Sequence, residues 1–424
     1  MLDIKDIREN PEKYKKGLAK KGVRGDIDRL LKLDSIRRDQ ITEADKLKAI
    51  RNKVSKAIGE LKRAGQDAQE KIEEMRDVSE DIKNLDENIA KLETQRDQIL
   101  ISLPNLPHDS VVVGESEEDN RFVKDWGEKK DFEFELKDHL DIGEYLDILD
   151  FKRAAKFSGA GFPLYKKEGA KLERALINFM LDYHTNKHDY DEVFPPFMVN
   201  RSAARGTGQL PKLEEDMYNT TEDDLFLIPT SEVPVTNIHR DEIIPEKNLP
   251  IKYTAYSACF RREAGSYGKE TRGLSRVHQF NKVEMVRFVT PEKSYQIHEE
   301  LLQDAEEILQ ALGLHYRVVE LCTADLSFAA AKCYDLEVWA PASKKYFEVS
   351  SVSNFEDFQA RRSSIRYRRK SDNQVDFLHT LNGSGVATPR LMIALLEQYQ
   401  TRDGNIVIPE VLHSYTGFTK INKY

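Results

Sequence analysis

A seam of apolar and tolerated polar positions recurs in steps of three and four from Leu30. It runs through Leu33, Arg37, Gln40, Ala44, Leu47, Arg51, Val54, Ile58 and Leu61. This heptad spacing predicts one long helix with a single packed edge. A second seam follows through Val78, Ile82, Leu85, Ile89, Leu92, Arg96 and Ile99. Between them "KRAGQDAQ" offers Gly65 as a stop, too short a link for anything but a fold-back. Residues of about 28–100 therefore read as an antiparallel helical hairpin, because two helices of similar length joined by a short turn pair with each other. At 1.5 Å per residue such a rod spans roughly 50 Å. Coiled coils also serve as oligomerisation devices, and the short turn is what favours self-pairing here.

"ISLPNLPHDSVVVG" ends this pattern with Pro104 and Pro107, and residues 104–112 read as a linker. Beyond it the chain turns aromatic, with period-two alternation broken by helical stretches, and no repeat of 20–50 residues is present. Residues 113–424 are expected to form one large α+β domain on an antiparallel sheet flanked by helices. Within it "KYTAYSACFRRE" (252–263) reads as a strand with Arg261 and Glu263 on one face. "RVHQFNKVEMVRF" reads as its return, placing Arg276, His278, Phe280, Lys282 and Glu284 together. The dozen residues between, spaced by Gly265, Gly268 and Gly273, are long for a hairpin and typical of functional loops.

Composition narrows the class. With 39% hydrophobic and 33% charged residues and no apolar run near the ~20 needed to span a bilayer, no membrane is expected. The opening "MLDIKDIREN" lacks the pattern of a secretory leader. Cys259, Cys322 and Cys333 form no CxxC pair, which predicts reduced thiols in a cytoplasm and no structural zinc. The net charge of −9 argues against a wholly basic nucleic-acid binder. Locally the picture differs. Residues 29–63 hold eleven Lys or Arg against five Asp or Glu, and residues 67–100 hold five against eleven. The first helix thus presents a basic flank through Arg37, Arg38, Lys46, Lys48, Arg51, Lys53 and Lys56, either a solvated face or a reader of phosphate backbone.

The hairpin's chemistry suits a nucleotide. Guanidinium forks onto phosphate, an aromatic face stacks on a base, and a carboxylate accepts from an exocyclic amine. Yet there is no GxxxxGK[ST] and no GxGxxG between strand and helix, which disfavours P-loop and Rossmann folds. "DFLHTLNGSGVATPRLMIALLEQYQ" adds a strand through Leu381 entering a glycine turn, Thr388 as N-cap and Pro389 as first helical residue. Arg390 falls in the first turn, where anions are favoured.

These segments resemble the three motifs of class II aminoacyl-tRNA synthetases. "LERALINFMLDYHTNKHDYDEVFPPFMVN" resembles motif 1 with Pro196 at its marker position, the Arg261–Glu263 hairpin motif 2, and the Arg390 helix motif 3. Pro389 stands where the class often has glycine. "TGQLPK", "IPTSEVPVTN", "FRREAG…TRGLSRVHQFNKVE" and "EVSSVSNFEDFQARR" further resemble the seryl-tRNA synthetases, as do the opening "MLDIKDIRENPEKY" and the helical hairpin. The likeness covers essentially the whole chain. It implies a tRNA-binding domain over 1–103 and a class II catalytic domain over 113–424.

The resemblance also implies the chemistry: serine activated with ATP and Mg²⁺, then passed to tRNA-Ser, and to tRNA-Sec where present, by a cytoplasmic homodimer. Arg261, Glu263 and Arg390 are implied as the catalytic set. Arg261 would meet the α-phosphate and the serine carboxylate, Glu263 the adenine amine, Phe280 the adenine ring, and Arg390 the far phosphates or the opposite adenine face. Arg262, Arg276, Val349 and Ser350 join the ATP site, and Glu348 and Ser351 would hold ATP and Mg²⁺. Thr230, Ser231, Glu232, Glu284, Asn382 and Ser384 would form the serine site, with Glu232 near the ammonium. The seven basic arm residues would touch tRNA. Two other readings stand beside this one: a class II-like paralogue that activates a small amino acid for another carrier, and a non-enzymatic coiled-coil scaffold. His184 and His188, four apart, have no third ligand in sequence, and His278 reads as a structural hydrogen-bonding residue rather than a general base.

Overall fold

The computed structural model describes residues 1–263 and 272–423. The chain divides into two compact units, one of Leu2–Ala19 with Val23–Pro104, the other chiefly from Asn105 onward. Gly265 and Gly268 lie outside the described residues. Among the described residues no helix is long and apolar enough to cross a membrane.

The smaller unit is dominated by two helices, Ile27–Arg63 and Gln69–Ser102, of 37 and 34 residues. Asp26 caps the first through the amide of Arg29, and Gly65 turns the chain with a left-handed φ of +69°. Every seam position predicted on both helices is buried or half-buried, and the seam extends one step to buried Met75. The pairing is antiparallel. Arg37 donates to Glu93 at 2.7 Å and Lys48 meets Asp86 at 2.8 Å, so that low numbers on one helix face high numbers on the other. The heptad's polar interruption at Arg37 is thus an interhelical ion pair.

The larger unit is built on an eight-stranded sheet. Its order runs Arg121–Trp126, Tyr316–Glu320, Lys332–Ala340, Lys345–Asn354, His379–Ala387, Gln279–Val289, Ile251–Phe260 and Asp191–Glu192. All neighbours are antiparallel except the last pair. Helices Lys167–Lys187, Ser294–Ala311 and Thr388–Gln398 bury one face through Leu176, Met180, Leu301, Ile308, Leu391 and Leu395. Alternation along the Gln279 strand sends Val283 and Met285 into that core and leaves Lys282 and Glu284 for the other side.

Three local expectations need correction. The expected linker of residues 104–112 is anchored to the larger unit at Asn105. Asn105 is buried, and its amide donates to the carbonyls of Ala329 and Phe355, both at 2.9 Å, which docks the segment onto the larger unit. The strands also stop short, at Phe260 and from Gln279, so Arg261, Glu263, Arg276 and His278 lie outside them. Glu263 has φ +50°, which breaks the alternation. Lastly, the glycines of "NGSG" are not a turn. The strand runs on to Ala387 with a register shift after Ser384. A Cβ on Gly385 would come within 2.5 Å of His184 Nε2, so glycine is required there for close approach of helix and strand. The helix then begins at Thr388 with Ala387 as N-cap. The Thr388 hydroxyl is drawn away from capping by the carboxylate of Glu173 and the carbonyl of Asn281.

Candidate active site

The sheet face opposite the helices opens into a cavity of about 1050 Å³. Its floor is a polar network. Thr230 Oγ1 donates to Glu284 Oε2 at 2.9 Å and accepts from Lys282 Nζ at 2.9 Å and from the Glu232 amide at 3.1 Å. Lys282 also pairs directly with Glu284, and Asn382 Nδ2 donates to Glu284 Oε1 at 3.1 Å. A buried carboxylate with a cation and two neutral donors around it is fully compensated, which is the condition for keeping charge out of water. Glu232 is less well served. Burial and the like charge of Glu284 raise its pKa to about 7, against the pull of Gln359, Lys282 and Arg261.

Beside this floor Arg261 lies over the Phe280 ring at 5.1 Å, and both line the cavity. Glu263 and Arg276 meet at 3.1 Å across the loop ends, and both line the same cavity. On the motif 3 helix, Arg390 donates to Glu348 Oε2 at 3.2 Å, to the Glu348 carbonyl at 3.0 Å and to the Ser275 carbonyl at 3.1 Å. Cationic groups thus reach the cavity from both motif 2 and motif 3, as anionic phosphate requires.

Glu348, Ser351 and Asp335 line the same cavity. Pairing places Ser351 against Asp335 on the adjacent strand, and a bulge between Glu348 and Ser350 shifts the register there. Burial and the charge of Glu348 push the Asp335 carboxyl well above the usual range, while the Ser351 hydroxyl bond opposes this. Crowded carboxylates and a hydroxyl are the hard oxygen donors a divalent cation relieves, so the donor set fits Mg²⁺. No group of three His, Cys, Asp or Glu able to hold a metal by itself is found among the described residues.

Of the residues named from sequence, the cavity brings together Thr230, Glu232, Arg261, Glu263, Arg276, Phe280, Glu348, Val349, Ser351, Asn382, Ser384 and Arg390. Four side chains do not line it. Ser231 is fully buried and bonded to Ser257 at 2.6 Å. Ser350 is buried, its hydroxyl turned to the carbonyl of Ser384 at 2.5 Å. Arg262 lies over Tyr218 at 5.8 Å. Glu284 sits behind Thr230, Lys282 and Asn382, and those three present its charge to the cavity. Sequence reasoning gave no role to Lys282, Asp335 or Gln359. Period-two alternation already puts Lys282 beside Glu284, a signal that was available. Gln359 comes from a distant helix, and nothing local marks it.

His278 accepts no catalytic post in this geometry. Its Nδ1 lies 3.0 Å from the Arg261 carbonyl and its ring stacks on Phe162. His184 and His188 contact each other at 3.0 Å within the helix-packed core, with His188 bonded to Glu307. On the arm, Arg38, Lys46, Lys53 and Lys56 are exposed, whereas Arg37, Lys48 and Arg51 are half-buried.

Comparison with known proteins agrees with this anatomy. Residues 1–107 match the model of the seryl-tRNA synthetase N-terminal domain, and residues 213–399 that of the tRNA synthetase class II core domain (G, H, P, S and T). The chain is 55% identical to the serine–tRNA ligase of Chlorobaculum parvum, over 99% of this chain and 100% of that one. It is also 55% identical to that of Geobacter sulfurreducens, over 98% and 99%. The seryl-tRNA synthetase of Pyrococcus horikoshii, solved in complex with ATP, is 40% identical over the full length of both chains, with a TM-score of 0.93. A helical hairpin of the expected register, an antiparallel sheet carrying three motifs, and full-length likeness converge: the chain belongs to the seryl-tRNA synthetase family of class II aminoacyl-tRNA synthetases.

Proposed function

We infer that the chain activates L-serine with ATP and transfers it to tRNA-Ser. The observation that carries this reading is the compensated floor of Thr230, Lys282, Glu284 and Asn382 set beside the Arg261–Phe280 pair. One end of the cavity suits a small zwitterion with a hydroxyl, and the other suits a purine and phosphates. A serine carboxylate oxygen attacks the α-phosphorus; that P–O bond forms, the bond to the bridging oxygen breaks, and pyrophosphate leaves. The terminal ribose hydroxyl of the tRNA then attacks the seryl carbonyl and AMP departs. No enzyme nucleophile is needed, so the protein's part is positioning and charge stabilisation.

Arg261 takes the α-phosphate and the serine carboxylate, and Phe280 stacks on adenine. Glu263 accepts from the adenine amine, while Arg390 and Arg276 face the remaining phosphates. Glu232 receives the ammonium. Thr230, Asn382 and Ser384 meet the substrate hydroxyl, with Glu284 acting through them. Glu348 with Ser351 would hold Mg²⁺, which when bound neutralises phosphate charge.

The arm's exposed Arg38, Lys46, Lys53 and Lys56 read the tRNA backbone. A second copy of the chain docks at motif 1, where Phe194 is 73% exposed two residues before Pro196. The enzyme acts in the cytoplasm, and its substrates extend to tRNA-Sec in a host that makes one.

Pyrophosphate–ATP exchange with serine, alanine and threonine tests the amino-acid site. Alanine lacks the hydroxyl that Thr230, Asn382 and Ser384 would meet, and a site built to hydrogen-bond that hydroxyl should reject it by about 10⁴–10⁵ in kcat/KM. Comparable exchange with alanine would sink the pocket assignment. Charging of purified tRNA-Ser separates this reading from a ligase that serves another carrier.

A further inference from the structure

Gln359 has no place in the reaction as described, yet it touches the residue given the ammonium. It is fully buried on the short helix Phe358–Ser363. Its amide nitrogen donates to Glu232 Oε1 at 2.6 Å and to the Thr207 carbonyl at 3.2 Å. Its oxygen accepts from the Thr380 hydroxyl at 2.8 Å. The amide cannot be turned over. A flip would set its oxygen against two acceptors, the Thr207 carbonyl and the Glu232 carboxylate. Every polar atom of Gln359 is therefore engaged, and its orientation is fixed from three separate segments of the chain.

We propose that Gln359, locked by Thr207 and Thr380, is the positioning residue that aims the Glu232 carboxylate at the amino acid's ammonium group. The inference rests on the reading that Glu232 receives the ammonium. Because Gln359 supplies a donor to Oε1, that oxygen stays an acceptor, and any proton on the carboxyl resides on Oε2. A donor to the charged form also favours ionisation. The groups facing Glu232 are Gln359, Lys282, Arg261 and Glu284. The first three favour its charge, and Glu284 opposes it. Gln359 is the only neutral group of the four and the one in direct hydrogen-bond contact. Its removal should leave Glu232 misaligned and more readily protonated. An ammonium-recognising site would then drift toward one that accepts a neutral hydroxyl.

The test is serine-dependent pyrophosphate–ATP exchange by the full chain across the neutral pH range, for Gln359→Leu, Gln359→Glu, Thr380→Val and Glu232→Gln. Glycerate, which carries a hydroxyl in place of the ammonium, serves as a competitive inhibitor in each. Gln359→Leu and Gln359→Glu should each raise the KM for serine by roughly tenfold or more, the usual consequence of losing a hydrogen bond to a charged group. The KM for ATP should stay near that of the parent chain. The midpoint of the pH dependence of the serine KM should move upward, and the preference for serine over glycerate should narrow. Thr380→Val should move the midpoint in the same direction by less.

If Glu232→Gln leaves the serine KM unchanged, the reading of Glu232 fails and the proposal falls with it. If Glu232→Gln raises it while folded Gln359 variants keep the parent midpoint and glycerate ratio, only the role of Gln359 is overturned. Failure of both Gln359 variants to fold, with a parent midpoint in Thr380→Val, assigns Gln359 to the core and overturns the proposal too.

Discussion

The arm and the cavity floor both handle charge, in opposite ways. On the arm, Lys48 and Asp86 pair at 2.8 Å with side chains 37% and 51% exposed. In the cavity, Lys282 and Glu284 pair at 7% and 0% exposure, and two further donors close the shell around the carboxylate. Water screens the first pair and holds it to a fraction of a kcal/mol, whereas the second survives only as a complete set. A pattern of many replaceable charges suits a surface that follows a polyanion. A pattern of few irreplaceable ones suits a site that must reject close analogues.

The sharpest way to break the contrast is Lys282→Met. It leaves Glu284 and Glu232 buried near each other without their cation. Removing one partner of a buried pair costs about 3–5 kcal/mol. Thermal unfolding should drop by several degrees, and serine-dependent exchange should fall to background. A stable, active Lys282→Met protein would show that the floor is not a unit. Next in size, Arg261→Ala removes a donor aimed at developing charge. Exchange should drop by about 10²–10³ with folding intact, as circular dichroism and thermal unfolding would report.

A smaller effect follows from Glu232, whose carboxyl titrates at about 7. Its raised pKa means it is neutral below that pH and charged above it, and an ammonium needs the charged form. The serine KM should therefore worsen as pH falls through 7, by about tenfold per unit once well below it. Glu232→Gln should give a flat profile. Smallest of all, Arg38→Gln, Lys46→Gln and Lys56→Gln on the arm should leave exchange and unfolding within experimental error. Together they should weaken tRNA binding and reduce its salt slope by about one unit per lost phosphate contact. Unchanged salt dependence in the triple variant would move the RNA to another face.

Legibility in the sequence divides along the same line. The hairpin could be read residue by residue because its pattern is periodic: the recurrence of apolar positions every three or four residues marks the packed edge of each helix, whichever residue faces it on the partner. Motif side chains were legible as a set through the family resemblance; Phe280 and Arg390 also follow from strand and helix pattern, whereas Arg261 falls just past its strand. What stayed hidden was convergence. Gln359 reaches Glu232 across 127 positions, and Asp335 meets Ser351 only through strand register. The glycines of "NGSG" misled for a related reason. Their smallness answers to His184 and Leu301, contacts made in the third dimension, and not to a turn.

Gly385 carries one more consequence. With His184 Nε2 2.5 Å from where its Cβ would stand, the motif 1 helix and the strand bearing Ser384 have no spare thickness between them. Descent cannot alter one of these positions freely. An enlargement at 385 is sterically coupled to whatever side chain stands at 184. Gly385→Ala should therefore displace the buried His184 ring or push the strand off the helix, and a lower unfolding temperature than that of the parent chain would report it.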